Sequence, residues 1–155
     1  MDDGLATAAL PLAEYISALR IELAARSDDV RVKMRHVLDA MPAAAREVGV
    51  DVFPDPDGEG TFDVRLRLDG PDAWVLNKAV DPWRHLFGVT WTETSTDPEL
   101  PCLQRTPDVD VRDVVVDAAA DWVESLWREV TEGRTTLPCR IDGEHGYGRT
   151  TPRMI

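Results

Sequence analysis

Thr61-Phe62-Asp63-Val64-Arg65-Leu66-Arg67-Leu68-Asp69 is the segment whose pattern leaves the least room for a second interpretation. Its apolar side chains occur at every second residue, and the residues between them are polar. Strict alternation of this length is typical of a β-strand with one buried and one solvent-exposed face. The stretch therefore predicts a sheet with a single covered face, and the rest of the chain has to supply the cover and the neighbouring strands.

Three segments have the apolar spacing of amphipathic helices, which can cover such a sheet. The first spans residues 11–26, and the second follows Ser27-Asp28-Asp29, whose oxygens suit the first turn of a helix. The third is the clearest and spans residues 111–130, which is about five turns. Because a short loop joins the first two helices, we expect them to form a helical hairpin.

Two further segments have less regular patterns. Residues 42–48 are rich in alanine, and Pro42 suits the first position of a short turn of helix. Residues 71–80 predict another short helix, although residues 73–77 also fit a strand that turns back after Gly70.

Other segments fit strands that would lie around the central one. Residues 48–53 alternate and lead through an acidic loop into the central strand, which predicts a β-hairpin. Residues 87–91 fit a third strand, and residues 135–142 fit a strand near the C-terminus. Residues 96–108 form a proline-containing crossing loop, with room for a short edge strand at residues 102–104.

These elements predict an α+β fold in one domain, residues 1–155. A small, mostly antiparallel sheet is covered on one face by the N-terminal helical hairpin and the long C-terminal helix. A chain of 155 residues is long enough to bury roughly two thirds of the surface that its unfolded form exposes.

The chain is strongly acidic, with a formal net charge of -12. Residues 51–110 carry 13 acidic and 5 basic side chains, and residues 111–132 carry 6 and 2. Such a field opposes direct binding to nucleic acid backbones or anionic membranes, and it favours a basic protein as partner. The other interpretation is that the carboxylates only keep the protein soluble.

The N-terminus has acidic residues where a signal peptide has basic ones, and no apolar run reaches membrane-spanning length. We therefore predict a cytoplasmic protein. Its two cysteines, Cys102 and Cys139, are expected to be reduced there, although the sequence leaves a bridge between them open. The sequence does not indicate an oligomeric state.

Four carboxylates follow one another along the predicted last helix, and we call them the acidic ladder. Asp113, Asp117, Asp121 and Glu124 are spaced so that they share one stripe of that helix. Like charges at this spacing cost a few tenths of a kcal/mol per pair, and Arg128 relieves only the last of them. The ladder is either a solvated face or a surface for a basic partner.

A second group of carboxylates lies in the hairpin loop, residues 55–59, which we call the acidic loop. Asp55, Asp57 and Glu59 resemble the first positions of a calcium-binding EF-hand loop, but the twelfth position is Leu66 instead of a carboxylate. The loop is therefore predicted to be a turn and a candidate surface for a basic partner.

Catalytic and metal-binding motifs are missing from the sequence. It contains no Gly-x-Ser-x-Gly, no Walker loop and no His-Glu-x-x-His. A zinc site can be drawn from Cys102, Cys139, His85 and His145, but these residues lack the close pairs that mark such sites. We predict no catalytic residue, no metal and no cofactor.

A glycine-rich turn near the C-terminus holds Glu144, His145 and Tyr147. These side chains suit either a functional loop or a loop that docks the tail, residues 149–155, onto the sheet.

A different class of function would use a small-molecule pocket between the helices and the sheet. Trp74, Trp83 and Trp91 could line it, together with His85 or His145. Core packing is the competing role for most of the tryptophans.

Four stretches carry a resemblance: FPDPDGEGTFD at residues 53–63, DGPDAWVLNK at 69–78, EHGYG at 144–148 and TPRM at 151–154. In these the chain resembles small, acidic, uncharacterised actinobacterial proteins, some of which act as immunity proteins of polymorphic toxin systems. The resemblance transfers no functional residue.

The resulting hypothesis is a non-catalytic protein-binding domain, for example an immunity-type inhibitor that neutralises a basic toxin. The acidic ladder and the acidic loop would be its contact surfaces, because complementary fields speed encounter and exclude wrong partners. On this hypothesis, Asp117→Lys with Asp121→Lys should slow association without unfolding the domain.

Overall fold

The computed structural model describes residues 8–134 and 137–155. The helices in this part of the chain are α1 (Leu12–Ala24), α2 (Ser27–Ala40), α3 (Ala73–Val80) and α4 (Val111–Thr131). The strands are β1 (Ala9–Leu10), β2 (Glu47–Pro54), β3 (Phe62–Asp69), β4 (His85–Phe87), β5 (Thr90–Trp91), β6 (Thr96–Asp97), β7 (Cys102–Leu103), β8 (Cys139–Gly143) and β9 (Arg153–Met154).

Five of the strands form the main sheet, in the order β4-β3-β2-β8-β9. The pairs β4-β3, β3-β2 and β8-β9 are antiparallel, whereas β2 and β8 are parallel. Val50 of β2 lies opposite Leu66 of β3 on one side and Ile141 of β8 on the other. The prediction of a mostly antiparallel sheet around residues 61–69 is confirmed.

One face of this sheet carries the core. The apolar residues of β3 are buried beneath the helices, and its polar residues lie on the opposite face. Helix α4 packs directly on β2 and β8, and α1 and α2 pack against α4. The predicted α+β architecture, with an N-terminal pair of helices and a long C-terminal helix over one face, is therefore confirmed.

The opposite face of the sheet is covered by its own charged side chains. Arg67 donates hydrogen bonds to Asp51, at 2.7 Å, and to Asp69. Its guanidinium lies across Gly49, where a Cβ atom would come within 2.5 Å of the Arg67 Cζ. The glycine therefore gives this arginine room to cross from β3 over β2.

The prediction of a helical turn at residues 42–48 is confirmed only for one hydrogen-bonded turn, in which the Ala45 amide donates to the Pro42 carbonyl at 3.1 Å. Strand β2 already begins at Glu47. The amide of Arg46 donates to the Asp69 carbonyl at 2.8 Å, and the amide of Val48 donates to the Pro138 carbonyl at 3.0 Å. Sheet pairing thus overrides the helix propensity of the alanines.

The single strand predicted at residues 87–91 is wrong, because two short strands occupy this region. Strand β4 pairs with β3, and β5 pairs with β6 in a separate hairpin. The strand is interrupted at Gly88, where a Cβ atom would lie only 2.6 Å from the Asp63 carboxylate.

Helix α3 occupies residues 73–80 of the predicted 71–80, so the alternative strand at residues 73–77 is wrong. The Asn77 side chain explains the choice, because it both accepts a hydrogen bond from the Leu68 amide and donates one to the Leu68 carbonyl. The side chain of this one helical residue thereby hydrogen-bonds both main-chain groups of Leu68 in β3.

The remaining strand predictions are confirmed in part. Strand β7 supplies the edge strand in the crossing loop and pairs in parallel with β1. Strand β8 starts at Cys139, while residues 135 and 136 lie outside the described part of the chain. Strand β9, which pairs with β8, was not predicted from the sequence. The thiols of Cys102 and Cys139 are free.

The hydroxyl of Tyr15 is buried in the core and has no hydrogen-bond partner among the described residues. A buried polar group without a partner costs about 1–3 kcal/mol. We expect Tyr15→Phe to raise the free energy of unfolding by about 1 kcal/mol in urea denaturation. The half-buried Tyr147 is the control, and Tyr147→Phe should change stability by less than about 0.5 kcal/mol. Destabilisation by Tyr15→Phe would contradict this prediction.

Candidate functional site

The acidic ladder on α4 lies against the chain's own C-terminal segment, residues 148–153. Asp113 accepts a hydrogen bond from the Gly148 amide at 2.8 Å. Asp117 accepts from the amide of Arg149 at 3.1 Å, and from the amide and hydroxyl of Thr150 at 2.9 and 2.8 Å. The ladder therefore satisfies main-chain donors of a segment that has little regular structure of its own.

Arg153 occupies the other end of the ladder. Its Nη1 atom donates to Asp121 at 3.0 Å and to Glu124 at 2.9 Å, and its side chain is only 19% exposed. The hydrogen bond from Arg153 lowers the pKa of Glu124. This ion pair is therefore present at neutral pH and is lost as the pH falls through that lowered pKa.

The C-terminal segment offsets the repulsion within the ladder and gives all four carboxylates a structural role. Asp117→Lys with Asp121→Lys would remove the anchors of Thr150 and Arg153. The expectation that this double substitution leaves the fold intact must therefore be revised. A contact between the ladder and a partner stays a prediction.

The acidic loop is held in place by its main chain and by one arginine. Asp55 accepts a hydrogen bond from the Glu59 amide at 3.0 Å, which closes the turn. Arg112, at the start of α4, donates to the Pro56 carbonyl at 2.8 Å. These contacts leave Asp57 and Glu59 pointing outward, and both are exposed.

The three carboxylates of the acidic loop have no ion-pair partner among the described residues. In contrast, the carboxylates on the sheet and on α4 are paired in many places, as in Arg67 with Asp51 and Arg31 with Glu129. The loop thus differs from the acidic ladder, whose carboxylates are already engaged.

A groove lies on each side of the acidic loop. The larger, about 570 Å³, runs between the loop and the start of α4. Its lining includes the carboxylates of Asp57, Glu59 and Asp108 and also three arginines, Arg105, Arg112 and Arg149. The other, about 490 Å³, lies between the loop and the β5-β6 hairpin. We call it the Trp91 groove, and Phe53, Asp55, Asp63, Arg65, Trp91 and Glu144 contribute to its lining.

The tryptophans considered for a small-molecule pocket lie in different surroundings. Trp74 is 72% exposed on α3, and the Lys78 ammonium lies 5.2 Å from its ring. The Trp83 ring stacks on His36 with a centroid distance of 5.0 Å, and Trp91 is 65% exposed in its own groove. The structure thus does not gather these three rings around one cavity.

The glycine-rich turn introduces the C-terminal segment. Its backbone has a positive φ of 56° at His145, and the Arg112 guanidinium lies 4.6 Å from the ring centroid of Tyr147. The turn places Gly148 beside Asp113. Its geometry thus fits the docking interpretation, with α4 and β8 as the docking surface.

Metal ligation has no structural support in the described ranges 8–134 and 137–155. No group of three or more histidine, cysteine, aspartate or glutamate side chains there could hold a metal ion. The zinc site drawn from Cys102, Cys139, His85 and His145 is not assembled in these ranges.

Sequence reasoning missed the pairing of the acidic ladder with the C-terminal segment. One signal was available, because residues 133–155 carry 4 basic and 2 acidic side chains in an otherwise acidic chain. Arg149 and Arg153 belong to this excess, and the segment that holds them docks on the ladder.

The fold and these surfaces define the class: a small acidic α+β domain with one helical layer on a mixed five-stranded sheet. More particularly, the chain belongs to a family of unknown function, DUF6389, whose model matches residues 11–155. No curated protein and no solved structure matches the chain. None of the described helices has the length and apolar character needed to span a bilayer.

Proposed function

We propose that the protein is a non-catalytic, cytoplasmic domain that binds a basic protein, with the acidic loop as its main contact surface. One observation carries the proposal. Asp57 and Glu59 are exposed, and neither they nor Asp55 has an ion-pair partner in the described part of the chain.

The electrostatics favour this surface over the acidic ladder. A partner that docked on the ladder would have to compete with Arg153 and with three main-chain amides. The carboxylates of Asp57 and Glu59 are available without such competition, and the net charge of -12 steers basic proteins toward them.

Inhibition of a basic toxin is the form of this function that the resemblance to immunity proteins favours. An inhibitor of this kind needs fast encounter with its target, which complementary charge provides. The two grooves beside the loop offer concave surface for side chains of the target.

The experiment is affinity capture from the lysate of the protein's own organism, with washes at low and then high salt. We expect the wild type to retain a stoichiometric basic protein that high salt releases. Asp57→Lys with Glu59→Lys should retain about tenfold less of it, because like charges then face each other.

The matched control is Glu22→Lys with Glu132→Lys, which changes the net charge by the same amount. Neither residue has an ion-pair partner among the described residues. Glu22 lies in the last turn of α1, and Glu132 follows the last turn of α4, at the opposite end of that helix from the acidic loop. The control variant should retain the partner to within about twofold of the wild type. Equal loss of the partner in both variants would show that net charge alone causes the effect, and it would contradict a contact at the loop.

A further inference from the structure

Trp91 is an exposed aromatic side chain in a concave setting. It lies in β5 of the small β5-β6 hairpin and is 65% exposed. The ring of Phe53, from the end of β2, lines the same groove. Exposed tryptophans beside a groove are typical centres of protein interfaces, because a partner buries a large apolar area on them.

The charges in the Trp91 groove are mostly negative. Asp55, Asp63 and Glu144 contribute carboxylates, and Arg65 contributes one guanidinium. The Arg65 guanidinium lies over the Phe53 ring, 6.0 Å from its centroid, so one face of the Phe53 ring already has a cation next to it. The Asp63 carboxylate is 3.1 Å from His85 Nε2, whereas the Glu144 carboxylate has no hydrogen-bond or ion-pair partner among the described residues.

An aromatic face beside carboxylates is the chemistry that recognises an ammonium or a guanidinium. The ring attracts the cation through its quadrupole, and the carboxylate accepts charge-assisted hydrogen bonds. A ligand that is apolar throughout would leave the carboxylates without partners, and an anion would be repelled by them. The groove therefore selects a cationic side chain with an aliphatic stem.

We propose that the Trp91 groove binds one lysine or arginine side chain of the basic partner, with its charged group between Trp91 and Glu144. This inference rests on the proposed function, since the acidic loop supplies Asp55 to the groove and would bring the partner there.

Trp74 provides an internal comparison. It is exposed to a similar extent, at 72%, but it already has a cation of its own, because Lys78 lies 5.2 Å from its ring. The groove next to it contains Asp81 as a carboxylate and Arg84 as a second cation. A cationic ligand should therefore distinguish Trp91 from Trp74.

The test is a titration of the full chain with two capped tripeptides, followed by NMR of the tryptophan indole N–H groups. One probe is acetyl-Gly-Arg-Gly-amide, and the other replaces arginine with citrulline, which has the same shape without the charge. The Trp91 signal, assigned by its loss in Trp91→Leu, should shift with the arginine probe in the millimolar range. It should shift little with the citrulline probe or with added sodium chloride, and Trp74 should not respond.

Two variants sharpen the test. Glu144→Gln keeps the size of the side chain and should weaken binding of the arginine probe, followed at the Trp91 signal, about two- to fivefold. Trp74→Leu is the matched control and should leave the affinity unchanged. Equal shifts with arginine and citrulline, or a response only at Trp74, would overturn the inference.

The outcomes separate this inference from the proposed function. If the arginine probe shifts nothing at Trp91 while the acidic loop still governs capture of the partner, only the cation site is wrong. If the probe binds at Trp91 but no partner depends on the loop, the proposed function fails and the cation site stands.

Discussion

Gly143→Ala is expected to destabilise the protein by about 3 kcal/mol, near the upper end for overpacking. Gly143 is the last residue of β8, and its backbone has an ordinary extended conformation, with φ of -94°. The difficulty is space, because a Cβ atom there would overlap the Tyr147 carbonyl oxygen and lie 2.8 Å from Val116 of α4. The alanine would therefore push the glycine-rich turn away from α4.

Urea denaturation measures this effect, and Gly133→Ala is the control. Gly133 has the opposite properties, a positive φ of 72° and no atom within 4 Å of an added Cβ. Its replacement should cost about 1 kcal/mol through backbone conformation alone. If Gly143→Ala costs no more than Gly133→Ala, the close packing of the turn on α4 is not as the structure shows it.

Asp117→Ala is expected to destabilise the protein by about 2 kcal/mol and to release the C-terminal segment. The substitution leaves the amides of Arg149 and Thr150 without acceptors. These hydrogen bonds have a charged acceptor, which makes them stronger than neutral ones. Amide hydrogen exchange should accelerate at residues 149 and 150, while the helix around residue 117 stays protected.

The control for this prediction is Asp57→Ala in the acidic loop. The Asp57 side chain is exposed and has no ion-pair partner among the described residues, so its removal should change stability by less than about 0.5 kcal/mol. Equal stabilities for the two variants would show that the acidic ladder does not anchor the segment.

The local elements of the fold could be predicted from the sequence because their patterns are local. The alternation in residues 61–69 and the helical spacing in residues 111–130 each require burial on one side only. The predictions failed where a distant segment decides the outcome. Residues 42–48 run into the β2-β3 hairpin because the Arg46 amide donates to the Asp69 carbonyl. A local sequence pattern cannot predict a contact between residues so far apart in the chain.

The candidate site shows the same limit. The spacing of the acidic ladder predicted that its carboxylates share one stripe of a helix, and they do. The spacing could not predict their hydrogen-bond donors, which belong to residues about 30 positions later in the chain. The acidic loop could be predicted as a turn, because its acids, prolines and glycines suit one. Only the structure shows that its carboxylates lack cationic partners, whereas Asp121 and Glu124 of the ladder pair with Arg153. The other two ladder carboxylates, Asp113 and Asp117, accept main-chain hydrogen bonds.

On the proposed function, a basic partner contacts the acidic loop while the C-terminal segment stays on the acidic ladder. Amide hydrogen exchange of the protein alone and in complex with the captured partner tests this arrangement. We expect slower exchange at residues 57–60 in the complex and unchanged exchange at residues 148–150. Faster exchange at residues 148–150 without protection of the loop would contradict this arrangement, because the partner would then have displaced the segment from the ladder.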